Sequence, residues 1–303
     1  SFTNTGSDVN DYYLETVDQP DAPARYRLDG AWQPLDVRIE TYRDPSGRVL
    51  AVDTVRFTHR GPLRRVDSAW VSMAWTVYRN ETNGAEFLAM NRARSVSEFL
   101  AVTAGYGAPA QNMIVADRAG SIAIRSTGRY PIRPGDGRGD VVRDGASSSA
   151  DWVGSIPVDS YPFARDPARG FLSSANQQPM IGPRYLGAGW PSPWRAIRIN
   201  QLLRADSQVT VDAMRRYQTD PGSARADHFV PLLLAARVDS TRIGAAAARA
   251  AEAIRLLARW NRRYELDAVG AVLFEAVMAE LGRLVWDELE PPADQPGGRR
   301  LPR

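Results

Sequence analysis

The chain has 303 residues, 44% hydrophobic and 24% charged, enough to bury a large core as one big domain or two smaller ones. All 38 basic residues are Arg, but they are mixed with 35 acids to a net charge of +3 and form no stripe, which argues against a nucleic-acid partner. With no Cys, two His and no apolar run of about 18 residues, disulfides, thiolate chemistry, a three-His metal centre and a membrane-spanning helix are excluded.

In chain order, Phe2, Thr3 and Asn4 predict the end of a strand, where aromatic and β-branched residues give way to a turn containing Gly6. Asp8, Asn10 and Asp11 place two carboxylates and a carbonyl within four positions, the oxygen-rich pattern a hard cation requires. Tyr12 to Val17 alternates and predicts the next strand. Arg25 to Trp32 reads as a strand and turn. Val37 to Tyr42 and Val49 to Thr58 read as a hairpin joined by Asp44-Pro45-Ser46-Gly47. Ala69 to Tyr78 predicts another strand. Helical spacing covers Gly84 to Met90 and Ser95 to Thr103, the second with Ser95 as N-cap and Glu98 three residues on. Gln111 to Ile124 predicts a hairpin turning at Asp117 to Gly120. A long Gly, Pro and Asp-rich surface loop follows from Gly128 to Ser149, a length that usually marks function. Phe171 to Ala175 predicts a last short strand ending at Asn176.

From Trp194 the periodicity is helical, over 194–204, 211–218, 229–236, 241–264 and 268–290, with strong intrinsic propensity in the Ala-rich stretch around Ala245 to Ala258. Strands first and helices later is an α+β arrangement. Residues 1–185 are expected to be mainly β with a few helices, 186–290 mainly helical, and the Pro/Gly-rich 291–303 a frayed tail. His59 is expected to end a strand and His228 to open a helix, neither of them catalytic. Arg138-Gly139-Asp140 and the Asn80-Glu81-Thr82 glycosylation pattern are read as chance matches.

The opening Phe-Thr-Asn-Thr-Gly, followed by Asp8-Val9-Asn10-Asp11-Tyr12-Tyr13, resembles a segment of the penicillin acylase (penicillin amidase) family that follows its nucleophile-bearing strands. Further blocks occur in family order: Thr58-His59-Arg60-Gly61-Pro62, the hairpin from Gln111 to Gly120, Tyr130-Pro131-Ile132-Arg133, Ser174-Ala175-Asn176-Gln177 and Arg195-Ala196-Ile197-Arg198-Ile199. The resemblance implies the N-terminal nucleophile (Ntn) hydrolase fold, an αββα sandwich of antiparallel sheets, here in part and followed by a mostly helical region. It also implies an amidohydrolase that cleaves a small-molecule N-acyl substrate through an acyl-enzyme, made as a precursor that yields a smaller α-chain, and located in the periplasm or secreted.

By the same resemblance the oxyanion donors are the backbone N–H of Asn4 and the side-chain amide of Asn176, and Arg195 orients that amide, with Arg198 as the alternate. Asp8, Asn10 and Asp11 would be part of a structural Ca2+ site. Family nucleophile segments run Ser followed closely by Asn and Trp. Ser1-Phe2-Thr3-Asn4 does not match that pattern, which places the nucleophile upstream of this stretch. Two alternatives stay open. Ser1 could itself be the nucleophile, with its own α-amine as general base. The chain could also be a non-catalytic, calcium-stabilised binding module.

Overall fold

A computed structural model describes residues 1–79, 83–179, 185–236 and 244–287. The tail from Pro291 to Arg303 and the Asn80-Glu81-Thr82 pattern lie outside them. In chain order the strands begin with β1 (Phe2–Asn4), β2 (Asn10–Glu15), β3 (Arg25–Leu28), β4 (Ala31–Pro34), β5 (Asp36–Arg43), β6 (Val49–Phe57), β7 (Pro62–Val66) and β8 (Ala69–Trp75). Helices α1 (Asn83–Arg92) and α2 (Val96–Thr103) follow, then the hairpin β9 (Gln111–Ala116) and β10 (Ile122–Thr127). The short β11 (Pro131–Ile132), β12 (Arg143–Asp144), β13 (Gly154–Ser155) and β14 (Phe163–Arg165) complete the set. The chain divides into two compact units, Ser1–Pro193 and Trp194–Arg303.

The first unit holds a four-stranded antiparallel sheet in the order β1-β9-β10-β14 and a six-stranded sheet in the order β12-β2-β8-β7-β6-β5. The larger sheet is antiparallel except for the two-residue β12 beside β2. Helix α2 lies on the smaller sheet and buries Val96 and Leu100 against Ala123 and Val115. Its start is the expected cap: Ser95 Oγ accepts from the Glu98 N–H at 3.1 Å, while the Glu98 carboxylate reaches back to the Arg94 N–H. A second core gathers Tyr26, Leu35 and Leu63 with Trp70. Each such buried side chain contributes about 1.5–3 kcal/mol.

Three strand expectations are corrected. Arg25 to Trp32 belongs to a hairpin, β3–β4, because Asp29 and Gly30 both take positive φ, the two-residue turn that matches strand twist. The strand from Ala69 stops at Trp75, where Thr76–Arg79 winds into a 3₁₀ turn. Phe171 to Ala175 is not a strand. Ser174 is held there through its side chain, by Thr3 and Asn112, and not by a strand ladder.

The second unit contains α3 (Trp194–Ala205), α4 (Val211–Gln218), α5 (Ala224–Ala235), α6 (Ala247–Arg259) and α7 (Val269–Val285). Its core joins Ala226, Val230, Leu257 and Phe274. Helix α5 starts well before the expected Phe229 because Ser223 caps it, accepting from the Ala226 N–H at 3.1 Å. The helix expected through Tyr264 ends at Arg259. Arg262 takes a left-handed φ of 61°, and the Trp260 indole N–H bonds the Arg263 carbonyl, which turns the chain toward Gly222. Among the described residues no helix is long and apolar enough to cross a membrane. The architecture is the expected mixture of antiparallel sheets and helices.

Candidate active site

Register fixes which backbone groups of β1 are available for chemistry. The Ser1 carbonyl accepts from the Ile114 N–H, and the Thr5 N–H donates to Ala110 O, so the odd residues of β1 face β9. Antiparallel alternation then turns the N–H and C=O of Asn4 to the opposite edge of the strand. On that edge the Asn176 side chain arrives: its Nδ2–H donates to Asn4 O at 2.8 Å. The two oxyanion candidates are therefore neighbours, although 172 positions apart in sequence.

Other side chains hold this pair in place. Asn176 sits at φ 65°, a left-handed conformation that Asn tolerates better than most residues and that often marks a functional site. Just before it, Ser174 is bonded to Thr3 Oγ1 at 2.6 Å and accepts from Asn112 Nδ2 at 3.2 Å. Asn112 in turn accepts from Ser126 Oγ at 2.7 Å. Thr3, Asn112 and Ser126 stand opposite one another on three adjacent strands, so they form one polar row across the sheet. Asn112 and Ser126 are each only 2% exposed. On the other face Gln111 Nε2 donates to Asn4 Oδ1 at 2.7 Å. Ala175 is clamped by its N–H to Gln177 Oε1. The bond to Asn4 O sets the plane of the Asn176 amide.

Asp8 and Asp11 also meet, around an arginine from the long loop. Arg133 Nε lies 2.9 Å from both Asp11 carboxylate oxygens, and its Nη2 donates to Asp8 O at 3.0 Å and to Asp8 Oδ1 at 3.1 Å. The Trp152 indole N–H donates to Asp11 Oδ2 at 2.6 Å, and the Tyr185 hydroxyl to Asp8 Oδ2 at 2.8 Å. Asp11 is fully buried and the Arg133 side chain nearly so. Burial pushes the Asp8 carboxyl above its ordinary pKa, against the pull of Tyr185 and Arg133. Asn10 opens β2 and lines a cleft of about 360 Å³ with Gly6, Asp8, Tyr12 and Tyr185. A calcium ion takes about 6–8 oxygens, whereas all four carboxylate oxygens here already accept protein hydrogens. The side chains as they stand suit the guanidinium in place better than a metal.

Arg195 occupies the first turn of α3 in the helical unit and lines a cleft there with Trp194, Ile199 and Tyr217. The alternate, Arg198, is bonded to Asp220 at 2.6 Å. His59 bridges the Tyr26 hydroxyl and Asp151, and the same Asp151 accepts from Arg60, which also bonds the buried Glu15. His228 packs against the rings of Trp194 and Phe229. Sequence reasoning did not single out Ser174, Asn112, Gln111, Trp152 or Tyr185, and it quoted Arg133 only within a motif. The adjacent polar pair Gln111-Asn112 opening an otherwise apolar strand, with Ser126 across from it, was the available signal.

A family model described as Penicillin amidase matches residues 1–302. An acyl-homoserine lactone acylase QuiP from Pseudomonas aeruginosa is 29% identical, covering 94% of this chain and 36% of its own length. The QuiP of Pseudomonas fluorescens is 26% identical over 96% of this chain and 37% of its own length. A penicillin acylase 2 proenzyme from a Pseudomonas species is 28% identical, covering 93% and 36%. The chain thus spans a little over a third of the length of these curated relatives. In structure it resembles a thermostable penicillin G acylase from Alcaligenes faecalis, with TM-score 0.80 and 22% identity over 97% of this chain and 54% of the neighbour, a likeness of fold. Matched along nearly its whole length, the chain belongs to the penicillin amidase family.

Proposed function

We propose that this chain is the oxyanion-stabilising part of an amidohydrolase that cleaves N-acyl bonds through an acyl-enzyme. The single observation that carries the reading is the Asn176 amide seated at 2.8 Å on Asn4 O, with the Asn4 N–H on the same strand edge. When a nucleophile adds to an amide carbonyl, negative charge develops on the carbonyl oxygen. Two pre-set donors there avoid reorganisation in the transition state, and one such donor is worth about 2.7–4 kcal/mol of barrier. Asn4 N–H and the Asn176 side-chain amide take that role.

The nucleophile comes from a segment of the same polypeptide outside these residues. Ser1 is a poor substitute, because three strand rises put it about 10 Å from Asn4, and its amine is bonded to Ile114 O. The names of the relatives, acyl-homoserine lactone acylase and penicillin acylase proenzyme, support N-acyl substrates and a processed precursor, and a smaller α-chain from that precursor is part of the proposal. A periplasmic or secreted location belongs to the same reading.

The test is activity profiling of the complete polypeptide on chromogenic N-acyl amides, a penicillin and acyl-homoserine lactones. Release of the free amine from at least one is expected, with none from the 303-residue chain alone. A complete protein inert on the whole panel would contradict the amidase reading, and robust turnover by the chain alone would contradict the external nucleophile.

A further inference from the structure

We propose that Arg133 is the resident cation of the Asp8–Asp11 cluster, standing where a metal ion would otherwise neutralise it, and that it ties together the two segments that carry Asn4 and Asn176. The inference is independent of the amidase reading. A hard-cation site needs a positive charge among inward-facing oxygens, and here the guanidinium supplies it. One face of Arg133 meets both oxygens of Asp11, and an Nη2 hydrogen bridges the main-chain and side-chain oxygens of Asp8. A planar, always-charged fork suits such an arrangement.

The space around it is closed by backbone. A Cβ on Gly139 would fall 2.4 Å from both Asp11 Oδ1 and Asp8 Oδ2 and 2.5 Å from Arg133 Nη2, so the loop lies directly on the cluster. Arg143 adds a second positive charge, with its Nε 4.0 Å from Asp11 Oδ2. A divalent ion added to two carboxylates that already have two guanidiniums would leave excess positive charge in a buried place.

The same contacts join distant stretches of chain. Asp8 follows Asn4 by four residues, and Tyr185 follows Asn176 by nine. They meet through the Tyr185 hydroxyl on Asp8 Oδ2 and the Asp8 N–H on Leu186 O at 2.7 Å. Gly187 fits because a Cβ there would lie 2.6 Å from Gly6 O. Arg133 holds Asp8 in the rotamer that receives Tyr185.

The experiment uses the full chain, with terbium as a luminescent stand-in for calcium and Trp152 and Tyr185 as its sensitising donors. For the unaltered protein, no calcium-competed terbium emission is expected, and the thermal midpoint should be the same with chelator and with millimolar calcium. Removing the guanidinium in Arg133→Ser should create the emission, competed by calcium, and calcium should raise the lowered midpoint of that variant. Calcium-competed emission or a chelator-induced drop in the unaltered protein would overturn the proposal. A folded Arg133→Ser that takes up no ion would do the same. If that variant does not fold, the unaltered protein decides the matter by itself.

Discussion

In the β-rich unit one guanidinium, Arg133, serves two carboxylates. In the helical unit one carboxylate, Asp220, serves two guanidiniums, Arg198 at 2.6 Å and Arg263 at 3.0 Å. The charges are of the same kind, but the surroundings differ. Arg133 is 3% exposed and faces a fully buried Asp11, whereas Arg198 and Arg263 keep 24% and 38% of their side chains in water. Water can compensate a broken contact at the two guanidiniums of the second cluster and cannot do so at Asp11 and Arg133 in the first. Burial, more than the number of contacts, therefore decides how much each cluster has at stake.

The largest effect is expected from Arg133→Met, which takes from Asp8 its paired cation and leaves Asp11 only Arg143, 4.0 Å away. Breaking a buried ion pair by deleting one partner costs about 3–5 kcal/mol. Urea unfolding of the chain should show a loss of that size, and a loss below about 1 kcal/mol would place the cluster in the same class as a surface pair. A neutral buried network should fall between the two clusters. Asn112→Ala removes the acceptor of the buried Ser126 hydroxyl, and leaving a buried hydroxyl unsatisfied costs about 1–3 kcal/mol. The smallest stability change is expected from Arg263→Ala, about 0.2–1 kcal/mol, because Asp220 keeps Arg198.

Acid titration sharpens the contrast by its sign. The Arg198 guanidinium holds the Asp220 carboxyl below its ordinary range, so Asp220 favours the folded state above its unfolded pKa of about 3.9. That contribution is lost as pH falls through the depressed folded value. Burial raises the Asp8 carboxyl, so its contribution has the opposite sign, present below the unfolded pKa and lost as pH rises through the elevated folded value. Unfolding midpoints across the acid range should therefore flatten in Asp220→Asn and steepen in Asp8→Asn. The same direction of change in both variants would break the comparison.

Local signals were legible where a single element was enough. The hairpin of β5 and β6 followed from two strand-like runs around an Asp-Pro-Ser-Gly turn, and α4 spans the expected Val211 to Gln218, its start capped by Thr210. What escaped depends on contacts between distant residues. Nothing near Phe171 reveals that Thr3 and Asn112 hold Ser174 by its side chain, and nothing near Arg262 reveals its left-handed turn. Asn4 and Asn176 could be named because their residue types and blocks are specific. Arg133 could be quoted but not placed, because its carboxylates lie 122 and 125 positions away and the loop around it reads as surface. Ser174 looked like strand filler, yet it is the hydroxyl that fastens the approach to Asn176.

The central claim is that Asn176 donates to the oxyanion beside the Asn4 N–H. The most direct measurement is pre-steady-state acylation of the complete enzyme by a chromogenic N-acyl amide, compared with Asn176→Ala. The account predicts a loss of about 10²–10³-fold in the acylation rate with little change in substrate binding. A rate within a few-fold of the parent would contradict it.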